Sequence, residues 1–527
     1  MADSSRQVGP ARILAGASII AGLAVVAMLA GAGLGGVTSG AAKPQARPNV
    51  IVVVTDDLPM SFLTPDALPH TLELLGAQGT TFTDAVVTTP LCCPSRAAYL
   101  TGQYGHNNGV LSNRPGYADL LLKDSVLPAW LRRAGYTTFH VGRYLNGYKQ
   151  VSGARPAPGW KRWFTAIEPR NYYGYELAIE RKTVRAGYKR EDYLTRVLNG
   201  RAVTVIRQQV PGPRPFYLQL DHLAPHDETR HSDGPCGSSA IPTPGALTKF
   251  ANASLPVPPS FDEVDVSDKP SFVQQLEPLN AQTIAELERE YRCRIASLVE
   301  VDRGIQKMVG ALAAKGELEE TMIVFTSDNG FFVGEHRARQ AKYLPYEEGI
   351  QVPLLVRFPA SVGALPVVEE PVANIDLTAT VLEIAGATPC LAGGCRVLDG
   401  RSVLHLAAGN DPGWPADRGI AIELDRRFGT GDRTLPCAYQ GVRTSTHLLV
   451  EYTSVPDPGS LVCEDSTEGE LYDLVSDPFE LENLHPTQPG TAARAAEDEL
   501  AERLTRLRDC AGIGGRDPEP ASGHYCD

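Results

Sequence analysis

The chain has 527 residues, 43% of them hydrophobic and 21% charged, the composition of an ordinary globular protein with room for one large domain and a smaller one. Its formal net charge of −13 excludes non-specific nucleic-acid binding, which needs a basic surface. The same charge means that any anionic substrate must be held by a local cluster of cations, because long-range attraction is absent.

In chain order, residues 1–42 are predicted to be a targeting segment. Arg6 and Arg12 form a basic start, residues 13–36 are uncharged and apolar, and Ser39, Gly40 and Ala41 offer a cleavage point before Ala42. A secretory signal is the preferred reading and an uncleaved membrane anchor the alternative, since the apolar run reaches the ~20 residues that span a bilayer. Both export the rest of the chain. Residues 49–55 are almost continuously β-branched and predict a buried strand. A helical pattern follows over 68–77, with further strands expected at 137–141, 216–220, 322–326 and 352–357 and a long helix over 281–315. Residues 227–280, rich in Pro, Ser, Gly and Asp, predict a surface excursion that shapes a substrate pocket. A Gly/Asn/Pro-rich run near 410 marks a boundary between a catalytic domain, 47–410, and a smaller domain, 411–527. Strands at 419–424, 438–442 and 447–452 and a helix over 491–507 are expected in the latter.

Ten cysteines fit an oxidising compartment. Cys92 and Cys93 are adjacent. The spacings of the others suggest local pairs Cys390–Cys395, Cys437–Cys463 and Cys510–Cys526, leaving Cys236 with Cys293, although sequence alone does not fix connectivity. A zinc site is disfavoured, because no Cys-x-x-Cys pair occurs.

Two strand ends carry chemistry. Thr55-Asp56-Asp57 and Ser327-Asp328-Asn329 supply hard oxygen ligands suited to calcium or magnesium, at the position where ligand sites form in open α/β sheets. Taken alone, Asp56 and Asp57 could cap a helix or solvate a turn and Asp328-Asn329-Gly330 could be a plain turn, but two acidic strand ends that can converge favour the metal. The most specific segment is Cys92-Cys93-Pro94-Ser95-Arg96, followed by Leu100-Thr101-Gly102. Others are Ala224-Pro225-His226, Gly334-Glu335-His336, Lys342 ahead of Tyr346-Glu347-Glu348-Gly349, and Leu471-Tyr472-Asp473-Leu474.

In this order, over residues 47 to about 510, these segments resemble the type I, formylglycine-dependent sulfatases. The adjacent cysteines resemble the N-acetylglucosamine-6-sulfatases in particular. The resemblance implies an alkaline-phosphatase-like α/β sandwich, a large mixed sheet flanked by helices, with a smaller C-terminal α+β domain built on an antiparallel sheet. It implies that a formylglycine-generating enzyme oxidises Cys92 to 3-oxoalanine, and that Asp56, Asp57, Asp328 and Asn329, with the converted Cys92, hold one calcium ion. In the mechanism so implied, the aldehyde hydrates to a diol, one hydroxyl attacks sulfur and expels the alcohol, and collapse of the remaining hydroxyl ejects sulfate. Arg96 would orient the diol, Lys342 would contact sulfate oxygens and His226 would assist at the leaving group. Three carboxylates against one divalent ion leave about −1, and Arg96, Arg143 and Lys342 bring the total to about +2.

One segment departs from the pattern. Gly142-Arg143-Tyr144-Leu145-Asn146 stands where the family usually reads Gly-Lys-Trp-His, so arginine replaces lysine and Leu145 replaces the histidine, with Asn146 a substitute for the imidazole. The expected substrate is a sulfated sugar such as 6-sulfated N-acetylglucosamine. The alternatives are a phosphodiesterase or phosphonate monoester hydrolase of the same superfamily, and a non-catalytic exported binding protein with unmodified Cys92. Oligomeric state is left open.

Overall fold

The computed structural model describes residues 47–167, 170–229, 234–339, 341–426, 435–457 and 462–527, so the expected targeting segment lies outside the described residues. Among the described residues no helix is long and apolar enough to cross a membrane.

The strand Asn49–Asp56 is buried at every position and lies at the centre of a ten-stranded sheet. Its alternate residues enter two cores: Ile51 and Val53 join the helices Leu194–Gln209 and Ala281–Ala313 on one face. Val50, Val52 and Val54 join the side of Cys92–Thr101, Leu127–Arg133 and Asp376–Ile384 on the other. Covering both faces is why this strand reads as an unbroken apolar run and not as an alternation.

Asn49–Asp56 pairs in parallel with Thr321–Ser327 on one side and Phe216–Pro225 on the other, and the latter pairs in parallel with Thr137–Arg143. Leu354–Arg357 and Glu176–Ile179 attach antiparallel further out, making the sheet mixed. The expected strand 352–357 begins at Leu354; Pro353 has no N–H to give the ladder. The segment expected as one helix over 68–77 is a single α-turn, Pro69–Thr71, continued by a π-helix, Leu72–Ala77.

A second, antiparallel sheet contains Ile420–Asp425, Ala438–Arg443, His447–Pro456, Cys463–Asp465 and Gly469–Asp473. The helix Ala492–Leu507 packs on it through Leu500, Leu504 and Leu507. Four disulfides, Cys236–Cys293, Cys390–Cys395, Cys437–Cys463 and Cys510–Cys526, follow the pairing suggested by the spacings, and Cys92 and Cys93 remain free and buried.

Candidate active site

The parallel topology puts four strand ends side by side. Asp56 ends the central strand, Asp328 follows Ser327, His226 follows Pro225 and Arg143 closes Thr137–Arg143. Gly142 lets the last of these approach its neighbour. It has φ +116°, and a Cβ there would lie 1.8 Å from the Asp221 carbonyl oxygen. Cys92 opens the helix Cys92–Thr101, which ends at the left-handed Gly102. The helix N-terminus favours negative charge at that residue.

These elements, with the segments that follow them, bring together Asp56, Asp57, Cys92, Arg96, Arg143, His226, Asp328, Asn329 and Lys342, whereas the Gly334-Glu335-His336 motif forms a separate cluster. Lys342 Nζ lies 3.0 Å from Cys92 Sγ and 2.7 Å from Asp57 Oδ1, and Cys92 Sγ lies 3.6 Å from Asp56 Oδ1. Asn329 Nδ2 donates to Asp57 Oδ1 at 2.7 Å, and the Asp57 amide donates to Asp328 Oδ1 at 3.2 Å. His226 Nε2 is 3.5 Å from Asp57 Oδ2 and 3.9 Å from Asp56 Oδ1. Arg143 Nη1 bonds Asp56, and its Nη2 donates to Asn146 Oδ1 at 3.0 Å. Arg96 commits its whole guanidinium: Nε to Asp328 at 2.8 Å, Nη2 to Asp56 at 3.2 Å, and Nη1 to the Arg143 carbonyl and to Asp221. Cys93 has a different setting. Its amide donates to Asn113 Oδ1 at 2.9 Å, and burial pushes its thiol up to about 12.

The electrostatics of the cluster follow from burying many like charges. Burial raises the Asp56 carboxyl, but Arg143, His226, Arg96 and Lys342 outweigh it and hold the group below the usual carboxylate range. Asp57 is likewise held low, by Lys342 and His226 against burial. Asp328 is pushed up to about 6 by burial and the Asp56 charge. Burial opposes the charged form of His226, yet Asp57 and Asp56 raise it to about 9.

A family model described as "Sulfatase" matches residues 48–387. The chain belongs to the sulfatase family. A second model, "N-sulphoglucosamine sulphohydrolase, C-terminal", matches residues 334–510 of this sulfatase. N-acetylglucosamine-6-sulfatase of Capra hircus is 32% identical over 522 residues, covering 91% of this chain and 87% of the goat protein. Among solved structures, a complex of a protein with its substrate D-glucosamine-2-N,6-O-disulfate superposes with TM-score 0.69 at 22% identity, covering 88% of this chain and 97% of that one. The phosphonate monoester hydrolase of Agrobacterium radiobacter superposes with TM-score 0.65 at 21% identity, covering 88% and 95%. The protein is a sulfuric ester hydrolase on the alkaline-phosphatase-like fold.

The residues of this sulfatase fit a bound cation. Asp56, Asp57, Cys92 and His226, all buried, each offer a ligand atom within 4.8 Å of the others. Asp57 Oδ2 and Asn329 Oδ1 are buried and have no hydrogen-bond partner among the described residues. Orphaned oxygens beside a crowded set of carboxylates are what a hard divalent ion satisfies. Asp57 sits at φ +64°, a left-handed conformation that aspartate tolerates better than most residues. Tyr343, next to Lys342, is the sharper outlier at φ +86°, and it is pinned on both sides. Its amide donates to the Pro90 carbonyl at 3.1 Å and its carbonyl accepts from Tyr439 Oη at 2.9 Å.

Several participants escaped the sequence. Asp221, 1% exposed, lies 3.2 Å from Arg96 and accepts from Gln219 Nε2, while its Oδ2 bonds His140 Nε2 at 2.9 Å. Arg170 Nη1 meets His226 Nε2 at 2.8 Å. Arg294, in the long helix, is buried, donates to the Pro225 carbonyl at 3.0 Å and lies 3.7 Å over the Phe331 ring. Beside Arg143 opens a small cavity of about 50 Å³ whose wall includes Leu145, Asn146, Tyr148, Arg170 and Tyr175. None of the described residues of the 227–280 excursion lines this cavity, but Asp227 at its start accepts from His226 Nδ1 at 2.7 Å. Its described part is tied down by Cys236–Cys293 and places Ser260 and Glu263 against His336.

Proposed function

We propose that this sulfatase hydrolyses 6-sulfated N-acetylglucosamine or a closely related sulfated sugar, with Cys92 converted to formylglycine as its nucleophile. The observation that carries the proposal is the contact set of Cys92. A buried side chain at a helix N-terminus has an ammonium group at 3.0 Å and a carboxylate at 3.6 Å, with His226 in the same cluster. The goat relative, named for 6-sulfated N-acetylglucosamine, supports the substrate class.

Asp56, Asp57, Asp328 and Asn329, with residue 92, would hold one calcium ion, magnesium being the alternative for an all-oxygen set. Bound there, the ion supplies Lewis-acid polarisation and lowers the pKa of an oxygen nucleophile. The converted residue 92 supplies that oxygen as the hydrate of its aldehyde. Lys342 and Arg143 are the cations free enough to face sulfate oxygens, while Arg96 holds three aspartates in place. Charge fixed in advance of the reaction stabilises the transferring sulfuryl group as it does a phosphoryl one. His226 would pass a proton to the leaving oxygen through Nε2 only after that nitrogen, which here accepts from Arg170 Nη1 at 2.8 Å, is released to the substrate; its Nδ1 is held by the Asp227 carbonyl at 2.7 Å. The four disulfides and the apolar start of the chain support export. Maturation then requires a formylglycine-generating enzyme in the host.

The likeness to a phosphonate monoester hydrolase favours one other reading, a phosphorus ester substrate. Parallel kinetics on a sulfate ester, a phosphate diester and a phosphonate ester of one phenol, followed by 6-sulfated N-acetylglucosamine, separate the two. A kcat/KM for the phosphorus esters above that for the sulfate would overturn the sulfatase assignment of substrate.

A further inference from the structure

A second buried cluster lies in the Gly334-Glu335-His336 motif, away from Cys92. His336, Glu348 and Glu480 each offer a ligand atom within 4.8 Å of the other two, and His336 and Glu480 are both 0% exposed. Each side chain has one polar atom fixed and one left over. His336 Nδ1 bonds Glu263 Oε2 at 2.7 Å, Glu348 Oε1 accepts from Ser260 Oγ at 2.8 Å and Glu480 Oε2 accepts from the Glu347 amide at 2.9 Å. The remaining atoms, His336 Nε2, Glu348 Oε2 and Glu480 Oε1, are buried with no hydrogen-bond partner among the described residues. The imidazole is further held by stacking on Tyr346, with ring centroids 4.2 Å apart.

A simpler account is an imidazolium between two carboxylates. It explains Glu263, but His336 Nε2 stands 3.7 Å from Glu348 Oε2, too far for a hydrogen bond, and Glu480 Oε1 stays unexplained. That separation is close to the roughly 3.3–3.6 Å between two ligands of one tetrahedral zinc at about 2.0–2.2 Å each. A carboxylate on the far nitrogen of a metal-binding histidine is also the usual supporting arrangement, fixing the tautomer and raising the basicity of the near nitrogen.

We propose that His336 Nε2, Glu348 Oε2 and Glu480 Oε1 bind a zinc-class divalent cation, distinct from the ion at Asp56 and Asp57. One imidazole with two carboxylates suits zinc, whereas the all-oxygen set at the strand ends suits calcium, so the donor chemistry sorts the two ions. The Glu348 side chain, 19% exposed although its Oε2 is buried, is the one of the three nearest solvent, and water would complete the coordination. The two ligands His336 and Glu348 bracket Lys342 in sequence, and Glu480 comes from the loop after the second sheet. The cation therefore closes the loop that carries Lys342 and staples it to the C-terminal region. Its role is structural, and it acts on Cys92 only through that loop.

The test needs no enzymatic activity, so it succeeds or fails independently of the function proposed above. Full-length protein stripped with a chelator and then saturated with calcium is titrated with zinc chloride, following heat, metal content and thermal midpoint. One zinc per chain and a raised midpoint are expected, with affinity lowered about a hundredfold or more in His336→Gln and in Glu480→Gln. Crystals of the unaltered protein grown with both ions should give an anomalous peak at the zinc edge among the three side chains. That measurement decides the matter even if both variants fail to fold. No zinc uptake, uptake unchanged in both variants, or a zinc peak at Cys92 instead would each overturn the proposal.

Discussion

Arg143→Ala tests the departure from the usual lysine. The substitution removes the guanidinium that bonds Asp56 and donates to Asn146 Oδ1 at 3.0 Å, but it keeps the backbone carbonyl that accepts from Arg96 Nη1 at 3.0 Å. The Arg96 scaffold therefore survives, and the perturbation is the loss of one buried cation, 8% exposed. One charged hydrogen bond used in the transition state contributes about 3 kcal/mol, so kcat should fall about a hundredfold. Calcium should bind more tightly, because a cation competing for Asp56 has gone. Arg143→Lys should recover part of kcat, but not all, since Asn146 is placed for a planar, two-pronged donor. Steady-state kinetics on an aryl sulfate, run across a calcium titration, give both quantities. A near-normal kcat in Arg143→Ala at saturating calcium would refute the assignment and leave Arg143 as a structural partner of Asp56.

Other consequences follow from the same contacts. Cys92→Ala should abolish turnover with an unchanged circular dichroism spectrum, and peptide mass spectrometry of the unaltered protein should find residue 92 as formylglycine; activity in the variant would falsify the nucleophile. Asp328→Ala should lose calcium by elemental analysis together with nearly all activity, because the site is left under-coordinated. His106 joins the main fold to the second sheet through Glu423 at 2.9 Å and to the Cys510 carbonyl at 3.1 Å. Burial works against its charge, but Glu423 wins and raises it from 6.5 to about 9. A raised histidine contributes its full stability below about pH 6.5 and loses it as pH rises through about 9, here on the order of 3 kcal/mol. The stability gap between the unaltered protein and His106→Gln, measured by urea unfolding, should therefore shrink between those pH values; a constant gap would assign it to packing. Replacing both Cys236 and Cys293 with serine should cost about 4 kcal/mol on the chain-entropy estimate for their separation of 57 residues, read as a lowered unfolding midpoint.

The site was more legible in the sequence than the sheet that builds it. Asp56, Asp57, Cys92, His226, Asp328 and Lys342 stand in short motifs that are ambiguous one by one and legible as an ordered set. Asp221 was not legible, because it breaks the apolar run 216–220 and so looked like the end of a strand that in fact continues to Pro225. Its burial is supported by Arg96 and His140, partners 125 and 81 residues away that no local pattern reveals. Arg294 did leave a signal. It lies on the helix face of Leu287, Tyr291 and Leu298, so a charged residue occupied an apolar stripe. The outer strand Lys182–Arg185 is exposed at every position and has no alternation to read.

Asp221 also alters the charge balance. A fourth carboxylate lowers the local total from about +2 to about +1 once a divalent ion is counted, and Arg170 against His226 returns it to about +2. The cations are not equivalent in that total. Arg96 meets three carboxylates and a carbonyl, which leaves it little field to offer a substrate. Lys342 and Arg143 have one carboxylate hydrogen bond each, and Lys342 also touches Cys92. An anion entering beside Cys92 therefore meets those two first, with Arg170 on the wall of the adjoining cavity. Under the proposed function, this is how a chain of net charge −13 would hold a sulfate ester. The attraction is confined to a few ångströms around one buried helix end, where low dielectric makes each fixed charge count for more than it would at the surface.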